Sequence, residues 1–156
     1  MERVPLYDIL EMMADLKKKG AQMLGPGSIG IITPGVAVCG WLGGNVEAAR
    51  KLFVPGPVGV ISRSGGQSGT VPWAMKEAGM GVSTVVHIGT EPVLGMSFPD
   101  ILPLFEADPD TKAVAVLGEI GGPYEQEAAE EASLDVEQKI DRHMVMRNYK
   151  GLLERG

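Results

Sequence analysis

The sequence predicts a three-layer α/β domain, with a parallel sheet of about four strands and helices on both faces. Three observations point there. Val58–Ser62, Thr84–Ile88 and Ala113–Leu117 are apolar, Val/Ile-rich runs without polar alternation, as in strands covered on both faces. Helix-length intervals separate these runs, which implies parallel pairing through right-handed crossovers. The residues that follow the runs, Ser62–Gly66, His87–Pro92 and Gly118–Gly122, are rich in glycine or polar groups.

Each element has its own local signal. Leu6, Ile9, Leu10, Met13 and Leu16 recur at helical spacing, and Lys17, Lys18, Lys19 and Gly20 supply a basic last turn and a stop. Ala21–Leu24 reads as a short strand, followed by the loop Gly25–Gly30. Pro34-Gly35 marks a turn before a strand over Val36–Trp41. The interval after Ser62 predicts a helix over Val71–Ala78 that ends at Gly79, with Thr70 as cap and Pro72 in the first turn. Ser97 and Asp100 form a capping-box pair for Phe98–Glu106, again with a first-turn proline, Pro99. From Glu125 onward the chain is Glu/Ala-rich. Val136, Ile140 and Met144 then recur every four residues, predicting a long amphipathic C-terminal helix.

Composition narrows the function. Of 156 residues, 44% are hydrophobic, enough to bury a core, and there is no repeat or low-complexity tract. No apolar run approaches the ~20 residues needed to span a bilayer. Met1–Pro5 lacks the basic-then-apolar layout of a signal peptide. The single cysteine, Cys39, permits no internal disulfide and suits a reducing compartment, so a cytoplasmic location is expected. A formal charge of −6 argues against nucleic-acid binding, where excess Lys and Arg are required. With two histidines and one cysteine, a protein-built metal site is not expected. Cys39 reads as a small core residue and His143 as solvent-facing.

In open α/β sheets, ligands bind beyond the carboxyl ends of the strands. Ser62–Gly66, His87–Pro92 and Gly118–Gly122 are therefore the candidate functional edge. Ser62, Ser64, Gly65 and Gly66 at a helix start suit a phosphate-type anion, and they equally suit a plain strand-to-helix turn. His87 is chemically a possible nucleophile and ordinarily a hydrogen-bonded edge histidine. Glu119 is either a functional carboxylate or a cap for its own loop.

Read in order, Gly59–Gly65, Ile88–Gly95 and Leu117–Gly122, preceded by Gly25-Pro26 and Pro34-Gly35, resemble the CoA-ligase domain of succinyl-CoA synthetase α subunits and ATP-citrate lyase. The resemblance covers roughly residues 4 to 130. It implies a flavodoxin-like fold and nucleotide-dependent acid–CoA ligation through a phosphohistidine. Ser62–Gly66 matches the helix start that cradles the phosphohistidine, and Glu119 matches the carboxylate that orients it. Residues 1–24 then correspond to a remnant of a preceding CoA-binding domain, residues 25–132 to the ligase domain, and residues 133–156 to a charged C-terminal helix. The chain lacks the Gly-His-Ala-Gly segment and the CoA-binding fingerprint of the family. Gly69 stands where the α subunit usually has a tyrosine.

The resemblance thus implies a reduced or split α-subunit-like component. CoA and ATP or GTP with Mg are expected only in a complete complex, and none bound by this chain alone. The expected partners are a second copy, or β-subunit-like and CoA-binding proteins. No nucleic acid or membrane partner is expected. The alternative is a non-catalytic binding or assembly module derived from the same domain.

Overall fold

The computed structural model describes residues 4–119 and 123–135. Helix α1 (Leu6–Lys19) ends where Gly20 adopts the left-handed conformation and donates its N–H to the carbonyls of Leu16 and Lys17. Then come β1 (Gly30–Thr33), β2 (Ala37–Gly40), α2 (Val46–Leu52), β3 (Pro55–Ser62), α3 (Gln67–Glu77), β4 (Val82–His87), α4 (Phe98–Ala107), β5 (Ala113–Leu117) and α5 (Tyr124–Asp135).

The α/β class and the flavodoxin-like layering are as expected. The sheet has five strands in the order β2-β1-β4-β3-β5. β3 pairs in parallel with β4 and β5, while β1 runs antiparallel to both β2 and β4, so the sheet is mixed rather than wholly parallel. The reason is local. The turn over Thr33–Ala37 is far too short for a crossover, so the two strands it joins must be antiparallel. Residues 21–24 form no strand; the Met23 carbonyl instead accepts the Met96 N–H at 2.9 Å.

Two packed faces make the three layers. On one, Val58, Val60, Val82, Val85, Ala115 and Leu117 meet Ala49, Phe53 and Met75 from the α2 and α3 side. On the other, Ile61, Val86 and Val114 meet Phe98, Ile101, Leu102 and Phe105 of α4 and Ala128 of α5. Gly59 sits directly under the Phe105 ring, where a Cβ would stand 2.6 Å from Cδ1 and Cε1. Burial of Val58–Ser62 on both sides explains why this part of β3 does not alternate.

Helix starts carry the remaining differences. Ser97 and Asp100 form the expected capping box of α4. α3, however, begins at Gln67 rather than near Val71. Thr70 is no cap; it lies inside the first turn and donates its hydroxyl to the Gly66 carbonyl at 3.2 Å. The earlier start follows from Ser64, whose carbonyl and hydroxyl receive the N–H groups of Ser68 (3.0 Å) and Gln67 (3.4 Å). Pro72 accordingly lies beyond the first turn and is buried. Helix α2, capped by Asn45 through the Ala48 N–H, has no counterpart in the sequence reading. The stripe Val136–Met144 and His143 lie outside the described residues.

Cys39 is exposed, because β2 is an edge strand with all four residues open to solvent. No helix among the described residues is long and apolar enough to cross a membrane. Those residues also contain no group of three or more His, Cys, Asp or Glu able to hold a metal ion.

Candidate functional site

Strand register builds the site. Ser62 lies opposite His87 on one side and Leu117 on the other, so the carboxyl ends of β3, β4 and β5 finish level. The Ile88 N–H donates to the Ser62 carbonyl and the Arg63 N–H to the Leu117 carbonyl, both at 2.9 Å. The three stretches singled out in the sequence therefore leave the sheet side by side.

The Ser62–Gly66 turn is fixed from inside. Ser62 is fully buried, and its hydroxyl accepts the Ser64 N–H at 3.0 Å and donates to the Ser64 carbonyl at 2.9 Å. It shapes the loop rather than facing out of it. The Ser64 carbonyl also accepts the Ser68 hydroxyl at 2.8 Å, which pulls the first turn of α3 tight. Ser64 and Gly65 are half-buried and Gly66 is exposed. Among the described residues, no hydrogen bond is formed by the Gly65 or Gly66 amide. These amides and the Ser64 hydroxyl lie together at the start of α3, where the helix end carries partial positive charge.

Neither glycine is there for its backbone angle. Both have negative φ; a Cβ on Gly66 would meet nothing within 4 Å, and one on Gly65 would make ordinary contacts with Ile29 and His87. A methyl group at either position would instead occupy space in front of the amides.

His87 has 1% of its surface exposed and joins two loops. Its Nδ1 accepts the Ile29 N–H at 2.8 Å, and its Nε2 pairs with the Arg63 carbonyl at 3.1 Å. An amide donor facing Nδ1 requires the lone pair there, so the hydrogen bonds assign the neutral Nε2–H tautomer. Both ring nitrogens are engaged, one clamping the Gly25–Gly30 loop and the other the Ser62–Gly66 turn. The Ser28 hydroxyl donates to the His87 carbonyl and accepts the Gly30 N–H at 2.9 Å, closing the same junction.

Arg63 forms the second junction. It is 2% exposed, and its guanidinium carbon stands 4.9 Å from the centroid of the Tyr124 ring. Nη2 donates to the Glu91 carbonyl at 3.3 Å, and Nη1 lies 3.9 Å from Oε1 of Glu125. That same carboxylate oxygen accepts the Glu119 N–H at 2.9 Å, and the Tyr124 hydroxyl donates to the Pro92 carbonyl at 2.9 Å. One buried cation thus ties the turn after β3 to the loop after β4 and to the start of α5. Gly118 makes room for this: a Cβ there would lie 2.6 Å from Cγ and Oε1 of Glu125.

The structure thus brings Ser62–Gly66, His87 and Glu119 to one edge. Glu119 is exposed at the end of β5, with its backbone held by Glu125. Sequence reasoning missed Arg63, Tyr124, Glu125 and Ser28. Only Arg63 offered a signal, a charged residue at the end of an otherwise apolar strand.

A mixed, flavodoxin-like α/β domain with an open helix start at the carboxyl edge of its parallel strands is the class that fold and site define. Residues 55–124 match the family model of the succinyl-CoA ligase like flavodoxin domain. The malate–CoA ligase subunit alpha of Methylorubrum extorquens is 44% identical over 130 residues, covering 81% of this chain and 42% of that protein. The ADP-forming succinate–CoA ligase subunit alpha of Methanothermobacter thermautotrophicus is 40% identical over 128 residues, covering 82% and 42%. A mutant ATP citrate lyase of Methanosaeta concilii in complex with (3S)-citryl-CoA superposes with a TM-score of 0.73 at 30% identity, over 83% of this chain and 21% of that one. Residues 55–124 thus form a CoA-ligase domain of the succinyl-CoA ligase like flavodoxin type, similar to that of succinate–CoA ligase alpha subunits and ATP citrate lyase. The chain spans less than half the length of these relatives, which are named as subunits of larger ligases or are longer enzymes.

Proposed function

We propose that this chain supplies the phosphate-cradling helix start of a nucleotide-dependent acid–CoA ligase of the succinyl-CoA synthetase type. It does so as an α-subunit-like component beside β-subunit-like and CoA-binding partners. The carrying observation is the pair of amides at Gly65 and Gly66 that form no hydrogen bond among the described residues, on a loop whose shape is fixed by Ser62, Ser68 and His87. When a phosphorylated imidazole is presented by another segment, these residues bind its oxygens. The Gly65 and Gly66 amides and the Ser64 hydroxyl donate, and the end of α3 stabilises the negative charge. Glu119, exposed at the neighbouring strand end, orients that imidazole through its ring N–H. CoA and nucleotide chemistry belong to the assembled complex.

Inorganic phosphate is a direct probe of the cradle. A ligand that binds only the folded state at a hundredfold excess over Kd stabilises it by about 2.7 kcal/mol. For a chain of this size that raises the melting temperature by roughly 5–10 °C. Gly66→Ala leaves stability without phosphate within about 0.5 kcal/mol, because its methyl meets no protein atom. The same methyl crowds the anion and removes most of the phosphate-dependent shift. A wild-type protein whose melting point ignores phosphate, or a Gly66→Ala variant with an undiminished shift, would defeat the assignment.

A further inference from the structure

The open side of the β1–β2 hairpin has no role in the cradle, yet its surface is unusual for this chain. Val36, Val38 and Trp41 are exposed, Val38 by 44% and Trp41 by 73%. From Gly20 to Val46 no side chain carries a formal charge, in a protein whose net charge is −6. Edge strands are normally blunted with lysine, proline, a bulge or a covering element, because their free N–H and C=O groups recruit other strands. Ala37-Val38-Cys39-Gly40 has no charge, no proline and no bulge in its register with β1, and it terminates the sheet among the described strands.

The direction of its backbone groups follows from one bond. The Trp41 N–H donates to the Ile29 carbonyl at 2.8 Å, so the odd-numbered residues of β2 face β1. Val38 and Gly40 therefore turn their N–H and C=O groups to the open edge. Beside it lies an open cavity of about 590 Å³, lined mainly by apolar groups that include Leu24, Ile29, Ile31, Cys39 and Trp41.

We propose that this edge pairs with the same edge of a second copy. Two β2 strands run antiparallel about a two-fold axis, with Val38 of each copy opposite Gly40 of the other. Charge selects the occupant: copies that each carry −6 repel over most approaches, and the Gly20–Val46 stretch that forms this edge brings no charged side chain of its own to oppose a like one. The geometry is self-complementary and closes at two chains, because one antiparallel edge offers its own partner a matching set of donors and acceptors. The paired edge adjoins the cradle, since Ile29 receives the Trp41 N–H and lies within contact range of a Cβ placed on Gly65.

Sedimentation equilibrium on the full chain across micromolar concentrations tests this. The expected result is the mass of two chains for wild type. Val38→Pro removes one outward N–H without touching the β1 ladder, and Val38→Lys places a charge on an exposed edge position. Both are expected to sediment as single chains with an unchanged far-UV circular dichroism spectrum. Wild type that stays a single chain, masses that climb beyond two, or a two-chain mass kept by both variants would each overturn the proposal. The outcome is independent of phosphate-dependent melting, so failure of the dimer and failure of the cradle are separable.

Discussion

Replacing His87 with leucine removes a buried side chain that holds the Ser62–Gly66 loop to the Gly25–Gly30 loop. The imidazole is buried, and its loss strands two backbone groups, the Ile29 N–H and the Arg63 carbonyl. A buried polar group left without its partner costs about 1–3 kcal/mol, so the pair amounts to roughly 2–6 kcal/mol before any relaxation. That is a large share of the ~5–15 kcal/mol stability of a small domain. Urea unfolding followed by circular dichroism would register it as a fall in the transition midpoint at unchanged slope. Two further variants separate hydrogen bonding from volume. His87→Asn keeps an acceptor near the Nδ1 position and His87→Gln a donor near the Nε2 position, so each is expected to recover part of the loss. The leucine variant should also show a weaker melting response to phosphate, because the Arg63 carbonyl no longer anchors the loop. With both ring nitrogens engaged, wild-type His87 is expected to take no acid-labile phosphate from labelled ATP or GTP. A leucine variant within 1 kcal/mol of wild type, or amide variants no better than leucine, would refute the clamp.

Gly59→Ala is expected to destabilise by about 1–3 kcal/mol, since its methyl would overlap the Phe105 ring held between α4 and the sheet; equilibrium unfolding measures it, and a neutral result would mean that α4 is free to shift. Asp108 tests acid sensitivity at the end of α4. The Thr111 hydroxyl, the Asp110 N–H and Lys112 hold its carboxyl below the ordinary carboxylate range against a smaller desolvation effect. A group with a lowered folded pKa adds stability above its unfolded value, about 3.9 for Asp, and loses that addition as pH falls through the lower folded value. Asp108→Asn should therefore show a shallower loss of stability than wild type on acidification below about pH 4, read from urea midpoints at successive pH values. Parallel curves for the two proteins would rule out a contribution from this carboxyl.

The parts legible in the sequence were those where burial dictates residue type. β3, β4 and β5 are covered on both faces, so their runs could not alternate, and Ala113–Leu117 was delimited to the residue. The α4 capping box was legible because two side chains three residues apart settle it. β1 and β2 were harder. Gly30 and Gly40 approach so closely that a Cβ on Gly30 would lie 2.0 Å from the Cys39 carbonyl oxygen, and glycines needed for strand contact read as loop residues in a sequence. Cys39 was misplaced for a related reason: an apolar stretch looks like core unless it is known to lie at the edge of the sheet.

The site divides along the same line. Ser64, Gly65 and Gly66 are legible as a candidate because the proposed anion-binding helix start needs small residues next to one another in sequence. The parts that fix the loop are distant in sequence: His87 reaches Ile29 and Arg63 across the sheet edge, and Arg63 reaches Glu91, Tyr124 and Glu125. Their roles follow from parallel register, which brings Ser62, His87 and Leu117 level and puts the loop after β4 and the start of α5 within reach of one guanidinium. A cradle of the kind proposed, built mainly from backbone amides, has little side-chain freedom with which to correct its geometry, so precision must come from the loop itself. The two buried junctions supply it. Substitution at His87 should therefore weaken phosphate-dependent stabilisation nearly as much as substitution at Gly66, although both ring nitrogens are bonded to backbone at Ile29 and Arg63.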